Sequence, residues 1–314
     1  MLEITVMTEG RERHVRPRQG LLDDLVRRIG GDGDRYLVAQ RIPDLPEVFL
    51  QVRRSEGGPY TLEYREGPRP APLLGTRVTD ADGVIAAAAG WARREEGWNA
   101  GPWWTPVNLG PAPEPAPEPA GQEGAELTAL IREKLVAGYA TREELVAAAL
   151  EFRAASADGE PGAAADGEGE GARAERIWGL VDRLWLERVA EQSAWEGETD
   201  PERITRAFAA LESAGITARE HFACCRGCGL AEIPDAGAPG ARGFVFFHEQ
   251  CAESAADGGL SLLYGGFDGS AGTSAAVGRE VAEALTAVGL STEWDGDPGT
   301  RILVPLDWRK RLVG

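Results

Sequence analysis

The sequence predicts an α+β protein in two parts: a small α+β domain, a Pro-rich spacer, then a helical segment leading into a mixed α+β domain. Three observations carry this prediction. Strand-like alternation and helical spacing of apolar residues both recur along the chain. Proline occupies every second position from Pro111 to Pro119. Charge is uneven: residues 1–110 hold 16 acidic and 15 basic groups, a net of −1, whereas residues 111–314 hold 35 and 18, a net of −17. The expected boundaries are 1–110, a linker over 111–124, and 125–314.

The 314 residues suit two domains, each able to bury a core. An apolar fraction of 43% is too high for wholesale disorder. No run of eighteen apolar residues supplies a membrane span, and the N-terminus MLEITVMTEGRERHV has charges where a signal peptide needs an apolar stretch, so secretion is not expected. An overall charge of −18 argues against tracking nucleic-acid phosphates, which needs clustered Lys and Arg. Lys134 and Lys310 are the only lysines, a bias expected of a high-GC bacterial gene. The chain is expected to be cytoplasmic, with no nucleic-acid or membrane partner.

In the first part, Glu3–Met7 and Arg13–Val15 read as short strands and Leu21–Ile29 as a helix closed by Gly30-Gly31. Arg35–Ile42, Val48–Arg53 and Tyr60–Arg65 read as strands. Val48, Leu50 and Val52 alternate with Phe49, Gln51 and Arg53, the period of a sheet with one buried face. Ser55-Glu56-Gly57-Gly58 supplies a hairpin turn. Asp80 caps an Ala-rich helix reaching about Arg94. Trp91, Trp98, Trp103 and Trp104 are read as domain core, the alternative being a ligand or partner surface lined by indoles.

Alternate prolines fix φ and remove donors, so Pro111–Pro119 is read as an extended spacer. A helix over Ala125–Tyr139 follows, and Thr141 with Glu144 forms a capping box for the next. Residues Ala155–Ala172 are almost all Ala, Gly, Asp, Glu, Ser and Pro, a flexible acidic loop. Arg173–Ala194 is helical, with Ile177, Leu180, Val181, Leu184 and Trp185 on a core face. Asp200-Pro201 starts another helix and Gly215 stops it. Strands are expected at Ile216–Phe222, Gly243–His248, Leu260–Tyr264, Leu290–Trp294 and Arg301–Val304, with a helix at Ala275–Val288. Gly265–Ser270 is read as a loop and Asp295–Gly299 as a turn, not a phosphate cradle or a calcium loop.

All four cysteines, Cys224, Cys225, Cys228 and Cys251, fall in one short stretch with His221 and His248. Cys225-Arg226-Gly227-Cys228 has the spacing of a metal knuckle, and His248-Glu249-Gln250-Cys251 repeats it. Soft thiolates with imidazole suit a structural Zn²⁺ site held by Cys225, Cys228, His248 and Cys251. Two other chemistries stay open. The thiols can be ordinary core. A reactive thiol can pair Cys224 or Cys225 with a base, His221 or His248, as thiol-dependent enzymes do. Adjacent cysteines on a strand point to opposite faces, which sets Cys224 apart from the knuckle. Gly227 and Gly229 argue against a helix directly after it, and so against a thioredoxin-like redox pair.

Several of these residues also carry a resemblance. Ala207-Phe208, Gly215-Ile216, Cys224-Cys225-Arg226-Gly227-Cys228-Gly229, Phe246-Phe247-His248, Leu263-Tyr264-Gly265 and Trp294-Asp295-Gly296 resemble a bacterial domain family of unknown function. The resemblance implies that the helices from about Ala125 belong to the same unit and that the Cys251 position is more often Asp. Gln51-Val52-Arg53 and Glu63-Tyr64-Arg65-Glu66-Gly67 resemble an uncharacterised actinobacterial module. Neither resemblance implies an activity. The expectation is a zinc-stabilised binding or regulatory protein acting through another protein, with a thiol-dependent enzyme as the alternative.

Overall fold

A computed structural model describes residues 1–68, 70–110, 116–157 and 170–313. Residues 111–115 of the expected spacer and 158–169 of the expected acidic loop lie outside the described residues. The first stretch runs β1 (Ile4–Thr8), β2 (Arg13–Val15), α1 (Gln19–Arg28), β3 (Tyr36–Arg41), β4 (Val48–Arg54), β5 (Tyr60–Glu66), β6 (Leu74–Val78), α2 (Ala81–Ala92) and β7 (Thr105–Pro106). Four helices follow: α3 (Gly121–Ala137), α4 (Arg142–Ala157), α5 (Glu170–Ser193) and α6 (Asp200–Ser213). The remainder is β8 (Ile216–Arg219), α7 (Arg226–Glu232), β9 (Gly243–Phe246), α8 (Glu249–Glu253), α9 (Ala255–Gly258), β10 (Leu260–Gly266), α10 (Ala271–Ala287) and β11 (Ile302–Val304). The α+β expectation holds.

The chain divides into two compact units, and no single cut separates them. One comprises Met1–Pro119, Thr141–Leu186 and Leu312–Gly314; the other comprises Ala120–Ala140 and Glu187–Arg311. The first unit holds a seven-stranded antiparallel sheet ordered β2-β1-β3-β4-β5-β6-β7. Val48, Leu50 and Val52 are buried as their alternation predicts, and the turn closes with Gly58 N–H on the Ser55 carbonyl. Leu22, Leu25 and Val26 of α1 and Val84, Ala88 and Trp91 of α2 join these strands in one core. Asp80 caps α2 by accepting from Gly83 N–H at 2.7 Å. Trp98 and Trp104 pack edge-on against Tyr64, whereas Trp103 is 86% exposed, so the core reading fails for Trp103.

Arg142, at the start of α4, explains why that helix groups with the first unit. Its Nε donates to Asp44 Oδ2 and its Nη1 to Asp182 Oδ1 of α5, both at 2.6 Å. Trp185 Nε1 donates to the Asp44 carbonyl at 2.7 Å. The capping box at Thr141 is present: its N–H meets Glu144 Oε2, and Glu144 N–H meets Thr141 Oγ1.

The second unit holds a four-stranded sheet ordered β11-β10-β9-β8, in which β8 and β9 are parallel and the other pairs antiparallel. The strand β9 shows how the sheet separates two apolar clusters. Val245 and the following Phe247 enter the main core with Phe208 and Leu211 of α6 and Val277, Val281 and Leu285 of α10. Phe244 and Phe246, at alternate positions, enter a smaller cluster with Ile233 next to α7. The expected strand Leu290–Trp294 is reduced to a single bridge, Glu293 to Leu303. The strand β8 ends at Arg219 rather than Phe222, because His221 adopts φ of +48°, which a strand cannot accommodate.

Candidate functional site

Beyond β8 the chain keeps pace with the end of β9 but with altered geometry. Phe222 N–H donates to the Phe247 carbonyl at 2.8 Å, and Glu249 N–H to the Ala223 carbonyl at 3.1 Å. On either side of Phe222 stand two non-glycine residues with left-handed backbone, His221 (φ +48°) and Ala223 (φ +62°). Each such residue costs of order 1–3 kcal/mol unless its surroundings impose it. Here Tyr139, just past α3, stacks on the His221 ring, with centroids 4.4 Å apart and planes 13° from parallel. Its hydroxyl donates to Glu220 Oε2 at 2.7 Å, and Lys310 Nζ donates to the same oxygen at 3.2 Å while lying over the Tyr139 ring. Burial and the Glu220 carboxylate push the Tyr139 hydroxyl well above its usual range, so it stays a donor. Lys134 of α3 binds Glu249 at 2.7 Å and holds that carboxyl below its ordinary range.

The bent segment delivers Cys224 and Cys225 to the start of α7. Contrary to the expectation from Gly227 and Gly229, a helix opens immediately at the knuckle: Cys225 is its N-cap, with extended backbone, and Gly229 N–H donates to the Cys225 carbonyl at 3.0 Å. Packing requires Gly229, since a Cβ there would run into the Phe246 ring. Cys224 therefore does not sit on a strand facing away from Cys225. The ligand atoms of Cys224, Cys225 and Cys228 all lie within 4.8 Å of one another, and the Cys224 and Cys228 sulfurs are 3.6 Å apart. Cys224 and Cys228 are exposed and Cys225 is half-buried.

The other pair expected in the site is elsewhere engaged. His248 Nε2 lies 3.3 Å from Cys251 Sγ, and both residues are buried. Among the described residues, no hydrogen bond joins His248 to Cys224 or Cys225, and the cluster does not include His248 or Cys251. His248 Nδ1 is buried without a hydrogen-bond partner. Burial lowers the pKa of His248 and raises that of Cys251.

The three clustered thiols are unequal. The Cys228 N–H, then the Cys228 thiol, the Gly227 N–H and the Cys224 thiol favour the Cys225 thiolate and lower its pKa, although no N–H makes a full capping bond. Cys228 is pushed up to about 11 by its contacts with Cys224 and then Cys225. In metal-free, reduced protein at neutral pH, iodoacetamide should therefore modify Cys225 ahead of Cys228, with buried Cys251 last. Peptide mapping over a time course reads the order, and simultaneous labelling of Cys225 and Cys228 would contradict the inequality. Cys224 joins the site through backbone turns that no local spacing encodes, and the Tyr139–Glu220–Lys310 support spans separate segments.

With this geometry in place, comparison with known families becomes informative. A family model described as a domain of unknown function, DUF6891, matches residues 121–312. The chain belongs to this family. The DUF6891 region contains the cysteine cluster, Tyr139 and the His248–Cys251 pair; residues 1–120 fall outside the match. No curated protein and no solved structure matches the chain. No helix among the described residues is long and apolar enough to cross a membrane.

Proposed function

We propose that this DUF6891 protein binds zinc through the thiolates of Cys224, Cys225 and Cys228 and works in the cytoplasm by contact with another protein. The convergence of three sulfurs within 4.8 Å carries the reading. A tetrahedron with Zn–S bonds of about 2.3 Å has edges of about 3.8 Å, close to the 3.6 Å between Cys224 and Cys228. Thiolates favour soft or borderline cations over magnesium or calcium. Four free cysteines suit a reducing compartment. In this reading the ligands are Cys225 and Cys228, the pair expected from the spacing, together with Cys224, and His248 and Cys251 are not among them.

Protein purified reduced, without tag or chelator, should carry one zinc per chain by elemental analysis. Substitution by Co²⁺ should give the intense near-ultraviolet band of cobalt–thiolate bonds. Binding should release protons and weaken as pH falls, because the ligands must be deprotonated. Metal-free protein that also gives no such band with Co²⁺ would remove the proposal. A second reading, a thiol-dependent enzyme, is favoured by the lowered Cys225 pKa. It requires a base, and the expected one, His248, is turned to Cys251.

A further inference from the structure

We infer that the ion is held open and exchangeable, its fourth position taken by a cysteine thiolate from a second protein, rather than clamping the fold. This rests on the zinc reading above. Cys224, Cys225 and Cys228 occupy five consecutive positions, so an ion among them closes a very short loop. Metal clips stabilise chiefly by closing long loops, because those remove the most chain entropy. The helix beneath the site has its own anchors: Ile233 lies in the apolar cluster with Phe244 and Phe246, and Gly229 abuts the Phe246 ring.

Among the described residues the cluster contains three ligand residues, and zinc takes four ligands. Structural zinc sites fill the fourth position from the protein, whereas sites that exchange or react leave it open. Among the described residues the cluster takes in neither His221, whose ring stacks on Tyr139, nor His248 and Cys251, which face each other in a buried contact. Exposure of Cys224 and Cys228 puts the open position within reach of an incoming side chain. A thiolate is the donor this set favours most. The incoming thiol releases its proton to solvent as its Zn–S bond forms. On transfer, each departing cysteine thiolate takes a proton up, and no oxidation or reduction occurs.

The test uses full-length protein loaded with zinc or Co²⁺ and a synthetic peptide containing Cys-x-x-Cys. The ion should pass to the peptide within minutes, seen as loss of protein-bound metal after rapid gel filtration. Retention for hours against excess peptide would overturn the inference while leaving zinc binding intact. Loss of zinc in His248→Ala, with the fold intact by circular dichroism, would likewise show a closed site. Protein that never takes up zinc or Co²⁺ would overturn the zinc reading itself, and the inference with it.

Discussion

Arg142→Ala is expected to destabilise the first unit by about 3–5 kcal/mol, the range for removing one partner of a buried ion pair. The Arg142 side chain is 9% exposed and that of Asp44 is 4% exposed. Truncation leaves the Asp44 carboxylate in low dielectric without its cation, and Asp44 Oδ1 already lacks a hydrogen-bond partner. It also removes the guanidinium from beside the Trp178 ring, 5.8 Å from its centroid. Burial holds the Asp44 carboxyl above its ordinary pKa even with Arg142 present. The sign of the pH effect follows. A carboxyl with a raised folded pKa favours the folded state most when protonated, so the deficit of the variant is largest at neutral pH. It shrinks as acid supplies Asp44 with a proton. Urea unfolding at neutral and mildly acidic pH measures both. The double variant Asp44→Leu/Arg142→Met should recover most of the loss. A deficit below about 1 kcal/mol would place the pair among solvated surface bridges instead.

That pair also shows where sequence reading stops. Thr141 and Glu144 reveal the start of α4, because a capping box is a pattern over three residues. The partner of Arg142 is 98 positions away, in a chain with 51 acidic side chains, and no local pattern selects Asp44 among them. The β4–β5 hairpin was legible for the opposite reason: strict alternation fixes the face and Ser55–Gly58 fixes the turn. The strand β6, Leu74-Gly75-Thr76-Arg77-Val78, lacks that alternation and borrows its order from β5.

The helix α7 was hidden by an averaged property. Glycine is a poor helix former, yet Gly229 is needed because the Phe246 ring occupies the space of a side chain. The grouping of Cys224 with Cys225 was hidden by assuming a strand. Left-handed backbone at His221 and Ala223, with the His221 ring stacked on Tyr139, redirects the chain before the cysteines arrive. Composition and spacing located the chemistry to within a few residues; packing chose which residues share it.

Single substitutions at the cysteines and His248 should separate the two ligand sets by metal content. Cys224→Ser, Cys225→Ser and Cys228→Ser should each weaken zinc binding by more than about 100-fold, because loss of outer-shell support alone costs about 10–100-fold. Serine matches cysteine in size but offers a hard, far less acidic donor, so it does not replace the thiolate. Cys251→Ser and His248→Ala should leave the zinc content unchanged, because their mutual contact lies outside the cluster. A site built from Cys225, Cys228, His248 and Cys251 gives a different pattern: zinc kept in Cys224→Ser and lost in the other four. Competition against a chromophoric chelator ranks the affinities, and thermal melting checks that each variant is folded. His248→Ala removes a buried imidazole, so its melting point should fall even as its zinc remains. The decisive comparison is Cys224→Ser with Cys251→Ser, two serine substitutions of free thiols. Metal loss in the first and retention in the second is expected, and the reverse would return the site to His248 and Cys251.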